Sequence, residues 1–252
     1  MRTDTLQDLP FVNRFCFHPV LESTNDAARE ITDLPESGMI VVQADRQTAG
    51  RGRSGTPFYS STDDGLWVSI IVPVQSICDH FSFNRALSIA ICEAVENMSS
   101  IKTACSIKWP NDIYWAGRKL CGILLENHPA RANTLVIGFG LNVTTPSFPE
   151  ELRNIATSLF IETGKRFSRS ELLRNILTDF RRNLDLPVAK AHQLYDRRLF
   201  GTGHGAEVDG HRGVYEGVGI DGTLRLRTTR DVIHVITGHL RFTDTPGENH
   251  AR

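Results

Sequence analysis

The 252-residue chain has little cysteine and no pairing pattern in what it has: Cys16, Cys78, Cys92, Cys105 and Cys121 are scattered, odd in number and free of any C-x-x-C. Neither a disulfide framework nor a zinc site is expected, and a reducing, cytoplasmic compartment fits best. Long apolar runs are also missing. The first ten residues carry Asp4 and Asp8 in place of an apolar signal core, and no stretch approaches the ~20 apolar residues of a membrane span. A soluble protein with no membrane partner is expected. There is no excess of charge of either sign, since 28 Lys+Arg face 29 Asp+Glu. A nucleic-acid partner is not expected without a basic field. His18, His204, His211 and His234 show no metal-ligand spacing, so no protein-held metal site is expected. Internal repeats and low-complexity tracts are absent as well.

What is present is an α+β pattern. Phe15–Leu21 reads as a strand, and Ser23 then caps a short helix with Asp26 at the capping-box offset and Ala27, Ala28 and Ile31 on one face. Met39–Ala44 and Leu66–Val72 read as strands on either side of a polar, glycine-rich segment, Asp45 to Gly65. Phe83, Leu87, Ala90, Ile91, Ala94 and Met98 recur at helical spacing behind Ser82 as N-cap. Ser106–Trp109, Ile113–Trp115, Lys119–Glu126 and Leu135–Val143 follow as short-linked strands, which implies antiparallel pairing. Ser168 with Glu171 opens another helix, and a further one follows Pro187. From Gly205 the texture changes to Val214–Val218, Leu224–Arg227 and Val232–Ile236, with Asp221-Gly222 as a hairpin turn. The expected division is a catalytic unit over residues 1–203 and a small β unit over 204–252.

Three segments carry chemistry. Gly50-Arg51-Gly52-Arg53-Ser54-Gly55 satisfies G-x-G-x-x-G, but six residues separate it from the preceding strand and Pro57 follows where a helix should start. A dinucleotide fingerprint is therefore rejected. What remains is either a solvated surface loop or an anion cradle, with glycine backbone open to a ligand and two guanidinium groups suited to phosphate. Lys108-Trp109-Pro110-Asn111-Asp112 runs a strand into a Pro-fixed turn, which is common turn chemistry by itself. Arg118-Lys119-Leu120-Cys121-Gly122-Ile123-Leu124 places a lysine at the mouth of an apolar strand and a glycine inside it, where a ligand can lie against the backbone. Together they suit activation of a carboxylic acid by ATP. Two anions must be brought together, so Arg51, Arg53, Lys108 and Lys119 would neutralise them, and Asp112 would orient or deprotonate an incoming amine. Trp67 and Trp109 sit in apolar strands and are read as core more readily than as pocket walls. Cys121 lacks a neighbouring base and is read as a small buried apolar residue.

Ser23-Thr24-Asn25, Gln47-Thr48-Ala49-Gly50-Arg51-Gly52-Arg53, Lys108-Trp109-Pro110-Asn111-Asp112, Arg118-Lys119-Leu120-Cys121-Gly122-Ile123 and Gly138-Phe139-Gly140-Leu141-Asn142-Val143 together resemble the biotin protein ligase family in order and spacing. The resemblance implies a mixed, largely antiparallel sheet with helices, like class II aminoacyl-tRNA synthetases, followed by a small C-terminal SH3-like β-barrel. It implies ATP-dependent formation of biotinyl-5′-AMP, with Mg²⁺ accompanying the nucleotide, and transfer of biotin to a lysine of a biotin carboxyl carrier protein. Ser23, Thr24, Asn25 and Gln47 would then hold the biotin head group, with Gly122 beside it. Arg51, Gly52 and Arg53 would fold over the adenylate, Lys119 would contact carboxylate and phosphate, and Lys108, Asn111, Asp112 and Asn142 would line the nucleotide side. Lys119, Asp112 and Arg53 would carry catalysis.

The chain departs from the family pattern after the loop's third glycine, where Thr56, Pro57 and Phe58 stand in place of an arginine and a tryptophan. His234 occupies the tail position where a lysine is expected. Only residues 1–14 precede the first expected strand, so the DNA-binding domain of bifunctional members is not expected, and a monomer or homodimer is. The alternatives are a lipoate or octanoate ligase or transferase, and a non-catalytic nucleotide- or biotin-sensing module.

Overall fold

The structure, a computed structural model, describes Leu6 and residues 8–76 and 80–244, so Cys78 lies outside the described residues. Strands β1 (Val12–Leu21), β2 (Met39–Gln47), β3 (Gly65–Pro73), β4 (Cys105–Lys108), β5 (Asp112–Trp115), β6 (Arg118–Asn127) and β7 (Thr134–Asn142) form one seven-stranded sheet in the order β1-β2-β3-β7-β6-β5-β4. Only β1 and β2 pair in parallel; every other neighbour is antiparallel. A parallel pair needs a crossover, and α1 (Thr24–Arg29) lies in it. The β5–β6 hairpin turns on Ala116 and Gly117, both at positive φ, the requirement of a tight primed turn.

Strand alternation divides the chain's apolar residues between two faces. Leu66, Val68, Ile70 and Val72 of β3 and Leu135, Ile137, Phe139 and Leu141 of β7 point into the main core. There they meet Leu87, Ile91 and Ala94 of α2 (His80–Ser99) and Leu173, Ile176 and Phe180 of α4 (Arg169–Leu184). The alternate residues, Ile71 and Val136 among them, meet Ile40, Val42 and Ala28 under α1. Between α4 and the tail lies α5 (Val188–Asp196), and a short helix that the pattern did not announce, α3 (Leu159–Thr163), precedes α4.

The tail forms a second, five-stranded antiparallel sheet in the order β11-β10-β9-β8-β12, from β8 (Gly205–Val208), β9 (His211–Val218), β10 (Leu224–Arg227), β11 (Val232–Val235) and β12 (Arg241–Phe242). Tyr215, Leu224, Leu226 and Leu240 belong to the same buried cluster as the main core, so the small sheet is stabilised by docking on its neighbour.

Several local expectations change. Ser82 is not a cap, because α2 already begins at His80 and places it inside the first turn. Ser23 precedes α1 but makes no side-chain cap bond, and Asp26 turns away from the helix end to meet Arg51. Ser168 does cap α4, accepting from the Glu171 N–H. The hairpin at Asp221-Gly222 is wider than two residues, with the Gly219 N–H donating to the Thr223 carbonyl across it. Trp67 and Trp109 are buried, and Cys16, Cys92, Cys105 and Cys121 are free thiols.

Candidate active site

On the α1 face of the sheet three glycines replace side chains. Gly122 of β6 lies directly opposite Gly140 of β7, and Gly138 lies two residues further along, opposite Leu124. The result is a bare backbone floor. A methyl group at Gly138 would stand 2.2 Å from Asn25 Oδ1, one at Gly140 2.5 Å from the Phe58 ring and one at Gly122 3.0 Å from Lys119 Nζ. The glycines thus let Asn25, Phe58 and Lys119 lie on the sheet and leave a cavity of about 260 Å³ among them.

At one end of this cavity is a buried polar chain. The Thr24 N–H donates to Gln47 Oε1 at 2.8 Å, Gln47 Nε2 donates to Ser60 Oγ at 3.1 Å, and Ser69 Oγ sits 2.8 Å from Thr24 Oγ1 and 2.6 Å from Asn25 Oδ1. Asn25 Nδ2 donates to Glu126 Oε2 at 2.7 Å. Ser23, Thr24, Asn25 and Gln47 all line the cavity, so the structure brings together the four residues proposed for one head group. Ser69 and Glu126 were missed. Both are signalled by sheet alternation, as polar residues on the site face of strands otherwise read as apolar.

Across the floor lie the charges. The β4–β5 hairpin pairs Lys108 with Asp112, separated by only Trp109, Pro110 and Asn111, and the Trp109–Pro110 bond is cis. Lys119 Nζ reaches Asp112 Oδ1 at 2.7 Å and stands over the Phe58 ring. Lys108 Nζ donates to the Tyr114 hydroxyl at 3.3 Å. Burial lowers the Lys108 ammonium below the usual lysine range, and burial pushes the Tyr114 hydroxyl up to about 12. Asn111 Nδ2 donates to the Ile123 carbonyl, which ties the turn to the floor strand. Cys121 faces away from the cavity into the core, where burial raises its thiol well above the usual range.

The Gly50–Gly55 segment belongs to a narrow hairpin. The Phe58 N–H donates to the Gly50 carbonyl, and the Gly52 N–H to Thr56. Arg51 makes a two-pronged pair with Asp26 at 2.5 and 2.7 Å and reaches Glu126 at 3.2 Å. The Asp26 hydrogen bond raises the Arg51 guanidinium above its ordinary value. Arg53 instead crosses to the small sheet, donating to Thr237 Oγ1 at 2.5 Å and to the Gly238 carbonyl at 3.3 Å. Gly238, His239 and Leu240 line the cavity, so the C-terminal residues at the site are these, while His234 pairs with Arg225 on β11 and β10. No local motif marked them.

The Phe58 ring covers Gly140 and packs edge-on against Trp67, with centroids 5.9 Å apart. Arg51, Gly52, Arg53, Lys108, Asn111, Asp112, Lys119 and Gly122 all line the cavity, and Asp112 is the one carboxylate among the described lining residues, with Arg51 already paired to Asp26 and Glu126 outside it. Asn142 is the exception. It is buried, outside the cavity lining, and its Nδ2 donates to the Thr157 carbonyl at 2.9 Å.

A polar recess, a bare floor and a cationic far end suit a ligand that is neutral and hydrogen-bonding at one end and anionic at the other. Gly138→Ala is expected to raise the KM for such a ligand about threefold to tenfold, because the added methyl must push Asn25 off the floor. Steady-state kinetics on the variant check this, and an unchanged KM would remove Asn25 from the recess.

The sequence model of the Biotin/lipoate A/B protein ligase family matches residues 17–142. The "Bifunctional ligase/repressor BirA" of Bacillus subtilis is 36% identical over 65% of this chain and 51% of its own length, and its Escherichia coli namesake 29% over 67% and 52%. The chain thus spans about half the length of these curated relatives. A solved "Biotin protein ligase from Aquifex aeolicus in complex with biotin and ATP" superposes with a TM-score of 0.80 at 25% identity, over 92% of this chain and 100% of that one. With half its length inside the family match, the chain belongs to the biotin/lipoate A/B protein ligase family.

Proposed function

We propose that the chain is a biotin–protein ligase, which activates biotin with ATP to biotinyl-5′-AMP and transfers it to a lysine of a biotin carboxyl carrier protein. The observation that carries this is the Lys119–Asp112 pair over the glycine floor, facing a buried Thr24, Asn25, Gln47 and Ser69 recess. A ureido ring has both N–H donors and a carbonyl acceptor to offer such a recess, whereas a lipoyl dithiolane has neither. That favours biotin over lipoate or octanoate.

In the first step the biotin carboxylate oxygen attacks the α-phosphorus of ATP and pyrophosphate leaves. Lys119, at the mouth of the strand, would hold the carboxylate against the phosphate, and Lys108 and Arg53 would offset the remaining charge. Among the described residues no three carboxylate, histidine or cysteine side chains come together to hold a metal, and Asp112 is the one carboxylate in the lining. Asp112 and Asn111 would be the protein partners of a Mg²⁺ that arrives on the phosphates. When bound, Mg²⁺ would stabilise the departing pyrophosphate. In the second step the neutral lysine amine attacks the acyl carbon and AMP leaves; Asp112 would orient that amine and accept its proton.

We further take the small sheet as an SH3-like unit beginning near residue 204, and the protein as cytoplasmic, without a nucleic-acid partner, and monomeric or homodimeric. No described helix is long and apolar enough to cross a membrane. The test is exchange of labelled pyrophosphate into ATP: it is expected with biotin and absent with lipoate. Exchange with lipoate alone, or with neither acid, would overturn the assignment.

A further inference from the structure

A second hollow of about 370 Å³ opens beside the reaction cavity, and Arg53, Trp109, Pro110, Asn111, Ile123 and Leu124 line both. Its outer walls come from the first turns of α2, through His80, Phe81 and Asn84, and from the small sheet, through Asp221, Gly222 and Ile236. The two halves are tied together across it, since Trp109 Nε1 donates to the Gly222 carbonyl at 3.0 Å and Arg85 to the Ile220 carbonyl at 3.3 Å. The hollow is therefore a fixed seat. We propose that it seats the stretch of the acceptor protein that flanks the reacting lysine.

The inference rests on the ligase assignment, and four observations support it. Lysine has a four-carbon stem, so an acceptor whose amine reaches Asp112 must lay its backbone close to the mouth of the reaction cavity. The hollow shares the Trp109–Asn111 turn with that cavity, immediately before Asp112. Its shared walls are mainly uncharged and apolar, and such surroundings favour the neutral amine, the nucleophilic form. Asn84 is 8% exposed; its Nδ2 donates to the Pro110 carbonyl at 2.7 Å, while its Oδ1 is buried with no hydrogen-bond partner among the described residues. A buried amide oxygen left so at a hollow's wall calls for a donor, and an extended chain offers a backbone N–H. Finally, Ile236 is 82% exposed at the rim, and Ile220, next to the lining residue Asp221, is 55% exposed. Exposed apolar side chains at the edge of a hollow suit a polypeptide partner.

The test uses the full chain with biotin, ATP and a purified biotin carboxyl carrier domain. Ile236→Asp and Ile220→Asp place a charge on the rim at positions whose exposure spares the fold. Each is expected to raise the KM for the carrier fivefold or more, while pyrophosphate exchange and release of biotinyl hydroxamate in hydroxylamine stay at the parent's level. Ile101→Asp, at an exposed site beyond the far end of α2, serves as control and is expected to change nothing. Normal exchange with a carrier KM within twofold of the parent's in both rim variants would overturn the docking site alone. A raised KM for ATP in exchange would also overturn it and assign the hollow to the nucleotide. Absence of biotin-dependent exchange in the parent would overturn the ligase assignment, and the docking site with it.

Discussion

Lys119→Ala is expected to lower biotin-dependent pyrophosphate exchange by about two orders of magnitude or more, with the fold left intact. Removing one preorganised cationic or hydrogen-bonding group at a developing charge characteristically lowers a rate by about 10²–10³-fold. Lys119 is such a group, held over Gly122 by Asp112 at 2.7 Å and by the Phe58 ring. Its loss has a second consequence. Asp112 is left as an unpaired carboxylate in the lining, facing two incoming anions, so repulsion adds to the missing attraction. Stability should change little, because the pair is partly exposed, and such pairs contribute about 0–1 kcal/mol. Single-turnover adenylate formation and a melting curve separate these effects. Exchange within threefold of the parent in Lys119→Ala would remove the residue from the first step.

How much of this was legible in the chain depends on what kind of interaction places each residue. The strands and the two long helices were readable because alternation and helical spacing record which face is buried, and burial dominates their placement: Leu87 and Ile91 on α2, or Ile137 and Leu141 on β7, can only face the core. The same alternation carries Gly122, Gly138 and Gly140 to one face, and hence the floor. Side-chain partnerships across long sequence separations leave no such record. Asp26 has the spacing of a capping residue, yet pairs with Arg51, which comes within reach only because the hairpin after β2 folds back over α1. Asn142 belongs to a readable motif but ends β7 against Thr157, so its amide is committed elsewhere. The contribution of Thr237 to Leu240 depends on how the small sheet docks, and no local pattern in that segment encodes the docking.

That docking gives the loop its latch. Biotinyl-adenylate is a reactive mixed anhydride, so a ligase must keep it from water and from unrelated amines until its carrier arrives. In this chain Arg53 fastens the Gly50–Gly55 hairpin to the small sheet through Thr237 Oγ1 and the Gly238 carbonyl, and it stands where the reaction cavity meets the neighbouring hollow. Replacing Arg53 with glycine removes both hydrogen bonds and adds backbone freedom next to Gly52. Hydrogen bonds from a charged donor contribute about 1.5–3 kcal/mol each, and partial exposure of this pair reduces that, so a loss of about 1.5–3 kcal/mol in total from the closed state is expected. Since ~1.4 kcal/mol is a factor of ten, the adenylate should escape about tenfold to a hundredfold faster. Adenylate formation should be slowed by the loss of the Arg53 charge but persist, because Lys119 and Lys108 are untouched. The expected phenotype is therefore an enzyme that activates biotin, releases the adenylate and labels bystander lysines that the parent ignores. Incubating parent and Arg53→Gly with biotin, ATP and an unrelated lysine-rich protein, and measuring adenylate retention by rapid gel filtration, tests this directly. Equal retention together with equally low bystander labelling would show that the bonds to Thr237 and Gly238 do not hold the lid.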